Sequence, residues 1–321
     1  MPIHKSITSH QLPDGLKQEK ANQTSRNISN NFSPLTLLLK QQFDESLEAI
    51  ILYGSCLHSH DIEEGVVDFY VLVKDYKQAY ERRHLRYLSA WLPPTVFYLE
   101  AKEANLKAKY AVISIADFEA GINEWFHSYL WARFAQPVRI LYSRDADCEE
   151  QIHSLLAASV LTFLRNTLPV FGSTVVDVEE IWINGLALSY AAELRPERHN
   201  RPRQLSHISL DDYNRLTMFA APALGDKLIA MENNQYKCEF DLKEQKHALL
   251  QWRLRRWQGR VLSVLRLSKA TFTFINCIDY AAWKIKRHTG VDIEITPRLR
   301  RFPILWGLKV LWSLLRKGVV R

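Results

Sequence analysis

Ile51-Leu52-Tyr53-Gly54-Ser55 and, twelve residues after the serine, Val67-Asp68-Phe69-Tyr70-Val71-Leu72-Val73 form the stretch whose reading decides the fold of this chain. An apolar, β-forming run ends in a Gly-Ser turn, and a second apolar run carries one aspartate near its start. Gly54 admits backbone conformations closed to other residues and lets a ligand approach the main chain. Ser55 and the neighbouring N–H groups can hold phosphate oxygens. Asp68 has the chemistry of a Mg²⁺ ligand. On these residues alone, a simple strand turn with a hydrogen-bonded aspartate at a strand end reads equally well.

Outward from this stretch, apolar periodicity predicts a helix over 35–43 and strands over 48–53 and 66–73. An amphipathic helix is expected over 76–92, stopped by Pro93-Pro94 before strands over 95–99 and 110–115. Asp117 reads as the N-cap of a helix reaching 131, and 138–142 as a further strand. Strands separated by helices in this order suit a small mixed α/β sheet. From 148 to 250 the pattern turns mainly helical, with helices expected over 152–164, 178–194 and 210–231. The first 33 residues are polar and rich in Asn, Ser and Gln, and read as a disordered leader.

The C-terminal part differs in charge. Residues 251–321 hold 16 Lys/Arg against 3 Asp/Glu, whereas the first 250 hold 26 against 32, so the whole excess of positive charge lies at one end. Such asymmetry points to a polyanionic partner. Over 251–267, Leu254, Trp257, Val261 and Val264 share a face, with Arg253, Arg256 and Arg260 beside it. Over 305–317, Lys309, Ser313, Arg316 and Lys317 form a narrow polar stripe on an otherwise Leu- and Trp-rich helix. A basic, Trp-bearing amphipathic helix suits a membrane interface; a terminal helix packed on the body is the alternative. The wide apolar face does not suit a nucleic-acid arm, so no nucleic-acid partner is expected. The four cysteines are scattered without metal-ligand spacing and read as reduced thiols of an intracellular protein.

The Gly-Ser turn followed by an aspartate-bearing strand resembles the polymerase-β-like nucleotidyltransferase superfamily, with Tyr70 at the position of a second carboxylate. Further blocks resemble the mitochondrial-type (translocator assembly and maintenance) phosphatidate cytidylyltransferases and their bacterial relatives. The family's Y-G-S-G and D-F-x-x-x-V-D-D are matched by Tyr53-Gly54-Ser55-Cys56 and by Asp68 through Asp75. Its K-Y-G-V-I-S is matched by Lys109-Tyr110-Ala111-Val112-Ile113-Ser114, and Q-K-P-V-K-I by Ala135-Gln136-Pro137-Val138-Arg139-Ile140. Its G-L-S-Y-x-x-D-F-R resembles Ala187 through Arg195, with Glu193 in place of Asp. Cys56, Lys74 and Ala111 depart from the pattern.

The resemblance implies a nucleotidyltransferase domain over 34–147; the residue pattern adds a helical domain over 148–250 and a basic, amphipathic, membrane-associating region over 251–321, which has no counterpart in the family's blocks but suits it. It implies a Mg²⁺-dependent reaction of CTP with phosphatidic acid, on the cytoplasmic face of a membrane or on an organelle inner membrane. Gly54 and Ser55 are then expected at the triphosphate, with Ser55 and Asp68 catalytic. Lys109, Glu193 and Arg195 are expected near the nucleotide, and Asp68 with Asp75 (or Glu100) at the metal. For Lys109, and for Glu193 with Arg195, ordinary surface roles stay open. Another phosphate acceptor, or a non-catalytic membrane-associated nucleotide binder, is the alternative function.

Overall fold

A computed structural model describes residues 12–28, 31–57, 66–194 and 201–273, with six isolated positions beyond them, among them Trp312 and Arg316. Helices α1 (Asp14–Thr24) and α2 (Ser33–Phe43) precede strand β1 (Leu47–Tyr53) and strand β2 (Val66–Val73). Helices α3 (Tyr76–Ala79) and α4 (Arg83–Trp91) lead to strands β3 (Thr95–Ala101) and β4 (Leu106–Ser114). Helices α5 (Ile115–Asn123) and α6 (Trp131–Ala135) precede strand β5 (Arg139–Ser143). The five strands form one mixed sheet in the order β3-β4-β2-β1-β5, in which only β2 and β4 run parallel. The mixed α/β architecture expected from the sequence is therefore present.

Both faces of the central strands are covered, which is why β2 reads as a nearly unbroken apolar run. Phe69, Val71, Tyr110 and Val112 pack on Leu35, Leu39 and Phe43 of α2. On the other face, Tyr70, Leu72, Ala111 and Ile113 pack on Phe118, Phe134, Ile152 and Leu156. The last two belong to α7 (Ala146–Thr167), a core helix whose later residues Leu161, Phe163 and Leu164 enter a second apolar cluster. That cluster is completed by Trp182 of α8 (Val178–Ala191), by Tyr213 of α10 (Leu210–Ala220), which follows the short α9 (Arg201–Ile208), and by Trp252 of α11 (Leu242–Thr273). Trp182 stacks between Phe163 and Tyr213 at 4.6 and 4.0 Å.

Several expectations are corrected. Residues 14–24, within the expected disordered leader, form α1, whose Leu16 is fully buried. Sparse apolar content hides this helix, because polar tertiary contacts hold it. Lys20 Nζ donates to the carbonyls of Phe134, Ala135 and Gln136 at 2.8 to 3.2 Å, and Glu19 pairs with Arg215. The single helix expected over 76–92 is two helices, broken at Tyr80, whose backbone is extended. Ser114, not Asp117, caps α5; its hydroxyl accepts from Asp117 N–H, while the Asp117 carboxylate accepts from Tyr76 and Ser114.

The expected helix over 210–231 ends at Ala220. A three-stranded antiparallel sheet of β6 (Thr174–Asp177), β7 (Leu228–Ala230) and β8 (Gln235–Cys238) lies within the helical region. Its strands are too short for alternation to stand out.

Helix α11 spans the helical region and the sheet edge. Arg255 Nε donates to Phe126 O at 2.8 Å, and Lys269 Nζ reaches the carbonyls of Leu92 and Pro94. Gly259 lies against Ala192, where a Cβ would stand 2.0 Å from the carbonyl oxygen. The apolar face expected over 251–267 is present but turned outward, with Leu254 51% and Trp257 71% exposed. The helix expected over 305–317 lies almost wholly outside the described residues; Trp312 and Arg316 are helical and exposed.

Candidate active site

The site starts where β1 ends. Gly54 has φ +88°, in the left-handed region that disfavours side chains, and a Cβ there would come 3.4 Å from Asp68 Oδ2. Glycine is therefore required by conformation, and the carboxylate lies at van der Waals distance from where a Cβ would be. Residues Ser55–Leu57 follow as a 3₁₀ turn, so the positive φ falls on Gly54 and Cys56 needs none. Cys56 is buried in the core beneath the turn.

Strand register aligns the next residues. Tyr53 faces Asp68 across β1–β2, and Asp68 faces Lys109 across β2–β4. Their side chains meet, with Lys109 Nζ 2.7 Å from Asp68 Oδ1. Both are partly exposed, so the pair stays open to exchange with a charged ligand.

One pleat inward on the same face, Tyr70 is fully buried and its hydroxyl accepts from Arg133 Nη1 at 3.2 Å. The Arg133 guanidinium lies 5.3 Å from the Tyr53 ring and 4.4 Å from the Tyr129 ring, and its Nη2 is 3.4 Å from Glu193 Oε2. Arg266 of α11 lies 4.0 Å from the Tyr129 ring. Tyr129 is thus held by two guanidiniums and by a hydrogen bond with Tyr70.

These contacts order the ionisations. Burial, then the Asp68 charge, pushes the Tyr53 hydroxyl above the usual tyrosine range. Burial alone would raise Tyr129, but Arg133 and Arg266 outweigh it and bring its pKa below the ordinary value. His127, nearby, is pushed down to about 3 by burial and by Arg266, so its ring is neutral at pH 7.

Gly54, Asp68 and Lys109 come together as the sequence suggested, with Ser55 next in the chain. Glu193 reaches the same region through Arg133. Arg195 lies outside the described residues. Asp75 is not part of the site: it follows β2 at the strand's far end, and its carboxylate accepts from Lys77 and Gln78 N–H as the cap of α3. Glu100 sits on edge strand β3 against Lys107 at 3.9 Å. Tyr129, Arg133 and Arg266 were missed by sequence reasoning, and Tyr53 was read only as part of the turn motif. The one available signal was a lone arginine, Arg133, inside the otherwise apolar Trp131–Ala135.

Among the described residues no three His, Cys, Asp or Glu side chains cluster as a metal site. The arrangement is the Asp68 carboxylate facing an ammonium, with two guanidiniums behind, one of which, Arg133, also pairs with Glu193. Such a set can receive phosphate oxygens on the cationic groups and leave Asp68 to share a divalent ion.

No protein-family profile matches the chain, and no curated protein matches it. Among solved structures, a nucleotidyltransferase-like protein from Exiguobacterium sibiricum 255-15 aligns over 90% of this chain and 92% of its own, with 11% identity and a TM-score of 0.26. A superposition that loose transfers no residue roles.

Proposed function

We propose that the protein transfers a nucleotidyl group from a nucleoside triphosphate to a phosphate acceptor. In its finer form the donor is CTP and the acceptor phosphatidic acid in an anionic membrane, giving CDP-diacylglycerol and pyrophosphate. The observation that carries this reading is the positive-φ Gly54 turn packed against Asp68, with Lys109 2.7 Å from the carboxylate.

In the reaction an oxygen of the acceptor phosphate attacks the α-phosphorus. The bond to the oxygen bridging to the β-phosphorus breaks, and pyrophosphate leaves with that electron pair. The protein contributes position and charge. Gly54 lets phosphates approach the main chain. Lys109 exchanges its ion pair for phosphate oxygens, and Arg133 adds a fixed positive charge. Mg²⁺ fits through Asp68 together with substrate oxygens and water, and when bound supplies neutralisation of the reacting phosphates.

The lipid-borne acceptor is supported by the basic C-terminal region and by the outward stripe Leu250, Leu254, Trp257 and Val261 on α11, flanked by Arg253, Arg256 and Arg260. This fits peripheral association with an anionic membrane surface, on the cytoplasmic face or an organelle inner membrane.

Labelled CTP with phosphatidic acid vesicles and Mg²⁺ tests the reading. The wild type is expected to form CDP-diacylglycerol, and Asp68→Asn to lose about 100-fold or more of that rate. Asp68, already paired with Lys109, favours a second reading as a non-catalytic membrane-associated nucleotide binder. CTP binding without product from phosphatidic acid or other phosphate acceptors would select it.

A further inference from the structure

Helix α4 turns its two largest rings to solvent. Arg83, Tyr87 and Trp91 follow one another at four-residue spacing and so share one face of the helix. On that face Tyr87 is 74% and Trp91 63% exposed, and Arg82, Arg83 and His84 are exposed beside them. The opposite face is the one fixed to the body, where Ser89 is buried and its hydroxyl lies 2.6 Å from that of Thr95. A single apolar side chain in water is ordinary, but two neighbouring rings on a basic face mark a contact surface.

The end of α4 is fastened to α11. Lys269 Nζ donates to Leu92 O, to Pro94 O at 2.8 Å and to Thr95 Oγ1 at 3.0 Å. Trp91 and Gln258 of α11 line a common groove. Gln258 stands four residues after Leu254 and three before Val261, next to the outward stripe of α11. The groove therefore separates Trp91 from the edge of that stripe, with exposed apolar side chains on either side of it.

Charge selects the partner. Residues 81–91 hold three arginines against one acid, Glu81, and Arg253, Arg256 and Arg260 flank the stripe on α11. A second copy presenting the same face would meet like charge, whereas an anionic surface is attracted. Rings that project from a basic helix suit a bilayer headgroup layer, where Tyr and Trp place an apolar body inward and a polar tip in water.

We propose that the Arg83–Tyr87–Trp91 face of α4 is a further membrane-docking surface, whose two rings enter an anionic headgroup layer alongside the outward stripe of α11. One helix lying on a membrane leaves the body free to roll about the helix axis. A contact from a different element removes that freedom and fixes how the body stands on the surface. The proposal rests on the membrane part of the functional reading and adds a contact made by the sheet-containing domain itself.

Co-sedimentation of the full chain with vesicles of phosphatidylcholine, alone or mixed with phosphatidic acid, tests it. The double variant Tyr87→Ser, Trp91→Ser removes exposed rings only, so its melting temperature is expected to match the wild type. Its binding to the mixed vesicles is expected to be about tenfold weaker. Arg82→Gln with Arg83→Gln should weaken binding to the mixed vesicles alone and reduce its salt dependence. Combined with Leu254→Ser, Trp257→Ser, the loss from the α4 rings should multiply that from α11. Unchanged vesicle binding by the α4 ring variant would overturn the proposal and leave α11 and the C-terminal region as the membrane contact. A dimer in sedimentation equilibrium that this variant abolishes, with vesicle binding unchanged, would assign the face to a second copy instead. A wild type that binds neither vesicle would overturn the membrane reading as well, whereas CTP binding in solution judges the nucleotidyl-transfer reading separately.

Discussion

Gly54 is the residue on which most depends, because its backbone conformation disfavours any side chain at the turn beside Asp68. Gly54→Ala forces a side chain into φ +88° and sets its Cβ 3.4 Å from Asp68 Oδ2. It is expected to cost about 1–2 kcal/mol in chemical denaturation and to lower nucleotide affinity by distorting the turn. His127 gives a pH signature. Its folded pKa of about 3, set by burial and Arg266, lies below the ordinary histidine value, so between the two the unfolded chain binds the proton and the folded chain does not. Stability is therefore full above the ordinary value and falls as pH drops toward 3, by on the order of 4 kcal/mol. His127→Gln should flatten this acid limb in urea titrations at stepped pH; an unchanged slope would refute the assignment. Gly54, Asp68 and Lys109 were legible because each lies on or beside a strand whose pattern is local. Arg133 and Tyr129 were not, since their meaning arises only where α6 and its preceding loop fold over β1 and β2.

At the scale of elements, α11 carries two faces with different tasks. Its inner face is fixed by Trp252, Arg255 and Gly259, the last with no room for a side chain against Ala192. Gly259→Val is expected to force α11 away from the end of α8, destabilising the fold by about 3 kcal/mol and disturbing the neighbouring Glu193–Arg133 pair. The outer stripe makes few internal contacts, so the double variant Leu254→Ser, Trp257→Ser should leave the melting temperature within about 2 °C. It should nevertheless weaken co-sedimentation with anionic vesicles; undiminished binding would remove the stripe from membrane docking. Periodicity revealed that α11 is amphipathic but assigned no direction. The buried side is instead marked by the small Gly259 and by Arg255, whose Nε has a carbonyl acceptor.

Across the whole molecule, a sheet-containing body with excess acid is joined to a basic C-terminal region. Deleting 302–321 is expected to lower binding to anionic vesicles and activity on them, while CTP affinity in solution stays unchanged; equal vesicle binding by the truncated protein would count against the membrane role. Adding salt should weaken the vesicle association of the full chain. The sequence by itself determined the mixed sheet, the Gly-Ser turn, the aspartate on its strand, and the charge asymmetry. These follow from conformational preferences of adjacent residues and from composition. Only the tertiary structure decided that α1 is part of the core, that Asp75 caps a helix away from the site, and that Arg133 and Tyr129 stand over Tyr70 with Arg266 against Tyr129. The first and last depend on contacts between residues tens to hundreds of positions apart, and the cap at Asp75 is local but stands at the end of β2 away from Asp68. Whether a polar side chain caps, pairs or binds is set by the partners that packing brings to it.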